Sequence, residues 1–434
     1  MLTRRLGLGS AIMLGLGSIV GTGAFVSLGL ASEIAGLWAL PALVLAGAVA
    51  ALNGLSSAQL AAAHPVSGGT YEYGHRTLTP SIGFAAGWTF LCAKSASAAT
   101  AALGCAGYAL HWFGVDDPNA RRGSAIAICI GVTLLVAGGL KRSNLANTLI
   151  VSVTLIALLA FAIAGLISFE SANLGIGESA RAVAARENSP FDLMLFLQAT
   201  ALLFVAYTGY GRIATLGEEA RDPSRTIPRA IIATLFASCA LYALVALGAF
   251  ASSGADAFAA STKASAAPLE SLAAKLGMPG LRTLMVIGAL TAMLGVLLNL
   301  VLGLSRVVLA MARRDDLPRS FAKLKGDEPS PRAAVVLVGV IIASLAAIGD
   351  VRATWSFSAF TVLLYYAITN LAAARLPKDQ RRYPVALAWL GFALCLSLAW
   401  FVPLEIWLSG SGIVALGFVW RWLWRKRALG RSVA

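Results

Sequence analysis

The sequence predicts an all-α integral membrane protein of twelve spans, and three observations carry that prediction. First, the 434 residues are 58% hydrophobic and only 12% charged, with a mean hydropathy of +0.79. A soluble domain carries about twice that share of charge. Second, the apolar residues gather into runs long enough to cross a bilayer. Third, the 34 Lys and Arg fall mostly in loops on one side of the alternation, which is the bias that orients membrane proteins. In a soluble chain the net charge of +14 would suggest nucleic acid. Here topology accounts for it, and no nucleic-acid partner is expected.

The expected spans run 7–34, 38–62, 81–112, 124–140, 146–168, 191–216, 228–251, 281–312, 333–349, 354–374, 384–402 and 405–424. The charge bias places both termini in the cytoplasm and the protein in the cell (inner) membrane, with lipid as its surroundings. The start, MLTRR followed by an apolar run, has the look of a signal peptide, but the run continues to span length. The loop 252–280 has Leu269, Leu272 and Leu276 at helical spacing and is expected to hold a short surface helix. The five cysteines all fall inside apolar runs without metal-ligand spacing, so neither a disulfide framework nor a metal site is expected. No cofactor is expected, and the oligomeric state is not legible.

The first span carries GSIVGTGAF, Gly17 to Phe25. Glycines at 17, 21 and 23 weaken the helix. Irregular backbone at membrane depth persists only where it is buried or lines a cavity. Freed amides there can hold a carboxylate, helped by the positive end of the next half-helix. Tight helix packing through small residues explains the same glycines equally well. The sixth span repeats the pattern at Gly209 and Gly211, within FVAYTGYGRIATLGEEARDPSRTIPRAI. Two glycine-interrupted spans at corresponding places point to an inverted repeat around one shared site. After it, Thr226 before Pro228 reads as a helix start.

Lys94 lies about 20 Å into the third span, too deep for its stem to reach either interface. An ionisable residue at that depth is a functional candidate, either as a coupling charge or as the partner of an acidic substrate side chain, which would make glutamate or aspartate the ligand; a lysine that caps the carbonyls of a broken helix is the structural alternative. Asn299 and Thr291 are polar in the eighth span and fit either a pocket or interhelical hydrogen bonds. A membrane enzyme would need clustered His, Asp or Glu at one level, but the three histidines are far apart. A channel or a non-transporting nutrient receptor on the same scaffold is the other alternative to transport.

Four stretches together, GSIVGTGAF, EEARDPSRTIPRAI, GLSRVVLAMARRDDLP (Gly303 to Pro318) and YYAITNLAAARLP (Tyr365 to Pro377), resemble the amino acid/polyamine/organocation (APC) superfamily of transporters. The resemblance covers nearly the whole chain. It implies the leucine-transporter-like (LeuT-like) fold, a 5+5 inverted repeat with two additional C-terminal helices. The repeats would be 1–168 and 169–374, followed by 375–434. It implies a secondary active transporter of amino acids that works by alternating access.

By that resemblance Ser18, Ile19, Val20, Gly21, Thr22 and Gly23 would receive the substrate carboxylate. Phe204, Val205, Tyr207, Thr208 and Gly209 would line the other side and take the amino group. Glu218 and Glu219 would brace a cytoplasmic gate. Many relatives have an aromatic gate where this chain has Val205, and Phe204 or Tyr207 can substitute. Some relatives use a fifth-span lysine in place of sodium; here Thr154 falls near that place and Lys94 supplies the charge instead. Lys94, Thr154 and Asn299 are therefore the coupling candidates, with proton coupling or exchange and no sodium. Val205 and the lack of acidic residues in the core spans argue against a dicationic substrate such as a polyamine, and a neutral, bulky amino acid is the first expectation.

Overall fold

The computed structural model describes residues 7–64, 68–139, 144–173, 191–214, 220–264, 267–323 and 331–432. Among the described residues every regular element is helical and none is a strand. Eight stretches are long and apolar enough to cross a membrane, and Leu8–Ile19, Arg332–Ile348 and Val385–Trp400 are shorter apolar helices. Large apolar side chains face outward, such as Phe236 at 77% and Ile348 at 80% exposure. Backbone polarity is satisfied inside each helix, so such a surface suits hydrocarbon and not water. The protein is an integral membrane bundle.

The first span is α1 (Leu8–Ile19), a π-helical turn (Gly23–Ser27) and α2 (Leu28–Ala35). α3 (Ala39–Ala63) follows, then a short helix, α4 (Thr70–Thr77). α5 (Pro80–Trp112) covers the expected third span, although it is not one of the eight apolar stretches; Thr79 caps it by accepting from the Ile82 amide, and Pro80 opens its first turn. α6 (Pro118–Ala137) and α7 (Asn144–Asn173) are the next two. α6 begins earlier than the apolar run suggested, because Asp117 accepts from the amides of Asn119 and Ala120 and so starts the helix in polar sequence.

The sixth span is α8 (Leu193–Tyr207), a 3₁₀ turn (Thr208–Tyr210) and α9 (Gly211–Ala214). α10 (Pro223–Ser253) corrects the expected start at Thr226. The helix begins at Pro223 and runs through Pro228, whose ring removes a bond to the Ser224 carbonyl. Arg382 takes that carbonyl instead, at 2.5 Å. The loop after it holds two short helices, α11 (Ala255–Ala264) and α12 (Pro268–Lys275), with Leu269 and Leu272 buried. α13 (Leu281–Arg313), α14 (Arg332–Ile348), α15 (Val351–Ala374), α16 (Val385–Trp400) and α17 (Leu404–Ser432) complete the chain.

α5 lies at the centre and packs on α13 and α15, while α3 packs on α8 and α10, α7 on α10 and α13, and α6 on α14. Small residues set the closest approaches. A Cβ on Gly165 of α7 would meet the Gly248 carbonyl oxygen of α10 at 2.2 Å, so both positions need hydrogen for a side chain. α16 packs on α15 and α3, and α17 on α15 and α5, outside this core.

Candidate functional site

The two interrupted spans meet. Val20 is extended (ψ 98°) and stops α1. The Gly21 carbonyl then accepts from the amides of Ala24 and Phe25. Helix therefore restarts at Thr22, and the amides of Thr22 and Gly23 are first-turn donors with no acceptor inside the helix. In the sixth span Thr208 ends α8, its amide bonding to the Val205 carbonyl.

The glycines explain the contact. A Cβ on Gly209 would stand 2.1 Å from the Ser18 carbonyl oxygen, and one on Gly23 would stand 2.8 Å from Ala206 Cα. Both readings of the glycines thus apply together: the helices break, and the missing side chains let the breaks touch. Tyr242 of α10 ties them, donating its hydroxyl at 2.8 Å to the Ile19 carbonyl and lying 3.2 Å from that of Ala206. Tyr366 of α15 donates to the Thr208 carbonyl at 3.1 Å.

A cavity of about 540 Å³ lies against this junction. Its deep end is formed by Thr22, Gly23, Lys94, Val205, Thr208 and Asn299. Its other end reaches Arg313 and Arg314, which are exposed, so the cavity opens there. Ser97 and Trp355 close the inner wall; Ser97 shares a 2.7 Å hydrogen bond with Ser358, and the Trp355 indole donates to the Leu202 carbonyl. Lys94 is 7% exposed, and its Nζ donates to Thr208 Oγ1 at 2.7 Å. The third-span lysine therefore touches the break of the sixth span.

Not every expected site residue reaches the cavity. Ser18, Ile19, Thr22 and Gly23 line it, and so do Val205, Thr208, Gly209 and Asn299. Val20 is buried away from the lining, and Gly21 packs against Val296. Neither aromatic suggested as a substitute gate lines it: Phe204 lies edge-on to Tyr366 and Tyr207 donates to the Leu43 carbonyl. Thr154 is buried with its hydroxyl on the Ile150 carbonyl, and Thr291 bonds back to Ile287 in the same way. Glu218 and Glu219 lie outside the described residues.

Sequence reasoning missed the mouth. α4 places Tyr71 and Glu72 on the cavity wall. Glu72 accepts two hydrogen bonds from Arg314, at 2.9 and 2.6 Å, and that contact raises the arginine's pKa. Behind it, buried Asp316 accepts from the Tyr71 hydroxyl at 2.9 Å and faces His75 and Arg421. Burial opposes ionisation of Asp316, but the hydrogen bonds from His75 and Tyr71 and the Arg421 charge outweigh it and hold its pKa below 3.8. The local signal was present: Glu72 and Arg76 sit four apart beside aromatic residues. Its partners lie more than two hundred positions away, and no local pattern predicts them.

Fold and cavity define a class, a helical membrane protein with a largely apolar cavity, carrying a few buried polar side chains, where two broken helices meet. The chain belongs to the amino acid permease family, whose model matches residues 10–422. It is 40% identical over 418 residues to an uncharacterized transporter of Mycobacterium tuberculosis, covering 96% of this chain and 90% of that one. It is 27% identical over 422 residues to a branched-chain amino acid permease of Bacillus subtilis, covering 92% and 86%. It is 26% identical over 451 residues to the methylthioribose transporter of the same organism, covering 98% and 94%.

Proposed function

We propose that the protein is a secondary active transporter of amino acids that binds substrate where α1 and α8 end. The single observation that carries this is the paired break with Lys94 on it, opening into a cavity of substrate size. The family match and the name of the branched-chain permease support amino acids as the class. The substrate carboxylate would take the Thr22 and Gly23 amides, at the positive end of the following helix.

The proposed architecture is the LeuT-like 5+5 inverted repeat with twelve spans and α16 and α17 as the added pair. Helix packing supports it. When each core span is exchanged for the one five places on, neighbours map onto neighbours. α1 on α10 corresponds to α8 on α3, α5 on α15 to α13 on α7, and α7 on α10 to α15 on α3. The arginine-rich mouth is read as the cytoplasmic side of the cell membrane, which makes this conformation inward-open and one of the two that alternating access needs. Lys94 would supply the positive charge that makes sodium unnecessary, with proton coupling or exchange as the drive. A second cation there would be repelled strongly at low effective dielectric.

Counterflow in proteoliposomes in sodium-free buffer tests the reading. The account expects labelled amino acid to accumulate transiently against unlabelled amino acid inside. A receptor or an enzyme gives no counterflow, and a strict sodium requirement would remove Lys94 from the coupling role.

A further inference from the structure

We propose that the substrate is an acidic amino acid, whose side-chain carboxylate pairs with Lys94. This rests on the transport reading above and replaces the neutral substrate expected from sequence.

The deep end of the cavity is a set of donors. Lys94 Nζ is a donor in a buried wall, cationic when protonated, and among the described residues it enters no ion pair; its one recorded partner is the neutral hydroxyl of Thr208. Asn299 is 7% exposed, and its amide nitrogen has no partner. Thr22 is 3% exposed, and its hydroxyl has none either. Both side chains line the cavity. The first-turn amides of Thr22 and Gly23 add two donors. Acceptors there are mostly used. The Val205 carbonyl takes the Thr208 hydroxyl, Tyr242 bridges Ile19 and Ala206, and Tyr366 covers Thr208. A carbonyl keeps a second lone pair, which leaves the means to hold one α-amino group.

Negative charge is scarce. Among the described residues, Glu72 is the one carboxylate on the cavity wall, and Arg314 already holds both its oxygens. The arginines at the mouth, Arg306, Arg313 and Arg314, follow from topology and carry no weight here. Lys94 does carry weight. Charging a buried lysine without a partner costs several kcal/mol, and an anionic ligand offsets that cost.

The two donor groups line one cavity. Lys94 touches Thr208, the next residue is Gly209, and Gly209 lies against Ser18 of the first break. The ammonium and the first-span amides therefore flank one pocket. An acidic amino acid would place its α-carboxylate on the amides and its second carboxylate on Lys94. A neutral amino acid satisfies the amides and leaves the ammonium unmet.

Competition against sodium-free counterflow in the wild-type protein is the test, with glutamate, aspartate, glutamine, asparagine and leucine as probes. Glutamate or aspartate should compete about 30-fold or more better than its own amide, the effect of one buried charge partner. Lys94→Gln should erase that ratio, bringing acid and amide within a few-fold, while size exclusion confirms a folded protein. Counterflow driven by leucine, with glutamate and aspartate no better than their amides, overturns the acidic substrate and leaves the transport reading intact. No counterflow with any probe overturns both. The wild-type ratio decides the matter even where the variant does not fold.

Discussion

The two helix breaks look alike in sequence and differ in what they offer. The first opens through an extended residue, and Thr22 and Gly23, whose amides are first-turn donors, line the cavity. The second stays wound as a 3₁₀ turn, and its carbonyls are occupied by Tyr242, Tyr366 and Thr208 itself. One break leaves backbone donors free of the helix; the other is fastened to the scaffold and receives Lys94 at Thr208. G-x-G in a span therefore marks a place where two backbones touch, and neighbouring side chains decide which groups remain for a ligand.

The largest effect is expected where the breaks touch. Gly209→Ala puts a methyl group 2.1 Å from the Ser18 carbonyl oxygen, and neither backbone can yield cheaply. Destabilisation of about 3 kcal/mol and loss of counterflow are expected, read by thermal unfolding in detergent and by transport. A variant with unchanged melting and transport would mean that the breaks do not pack as described. Gly23 is constrained by the Ala206 backbone in the same way, so replacing it reports packing as well as binding.

A smaller effect separates the two breaks. Tyr242→Phe removes the one hydroxyl proton that the buried Ile19 and Ala206 carbonyls share, at a cost of roughly 2 kcal/mol. Tyr366→Phe frees the Thr208 carbonyl, with the neighbouring Tyr210 hydroxyl beside it, and should cost about 1 kcal/mol. Melting temperatures should fall in that order. Equal losses would show that Tyr242 does not join the breaks.

The breaks, Lys94 and the outer course of the spans were legible because each is written locally. Glycine pairs weaken a helix wherever they stand, and a lysine deep in an apolar run has nowhere to snorkel. The occupied carbonyls were not legible. Tyr242 lies 223 positions from Ile19, and Tyr366 lies 158 from Thr208; only packing brings them together. The same holds for Thr154, which looked placed for coupling but turns its hydroxyl onto its own helix. Pro228 misled for the opposite reason, since a distant arginine repairs the bond that the proline removes.

The smallest effect concerns the mouth, far from either break. Asp316 has a lowered pKa in the folded protein. Its contribution is therefore fully present above its unfolded value and is lost as pH falls through the folded one. Melting temperature should drop below about pH 4 in the wild type, and Asp316→Asn should flatten that part of the curve. An unaltered acid limb in the variant would place the acid sensitivity elsewhere.

The account stands most directly on where substrate sits. A structure of the protein bound to the amino acid that drives the strongest counterflow tests this. Ligand density should lie between the Thr22 and Gly23 amides and Lys94 Nζ, with Val205 and Asn299 beside it. Density confined to the opposite cleft of Glu33, Lys263 and Arg352, with the two breaks unliganded, would contradict it.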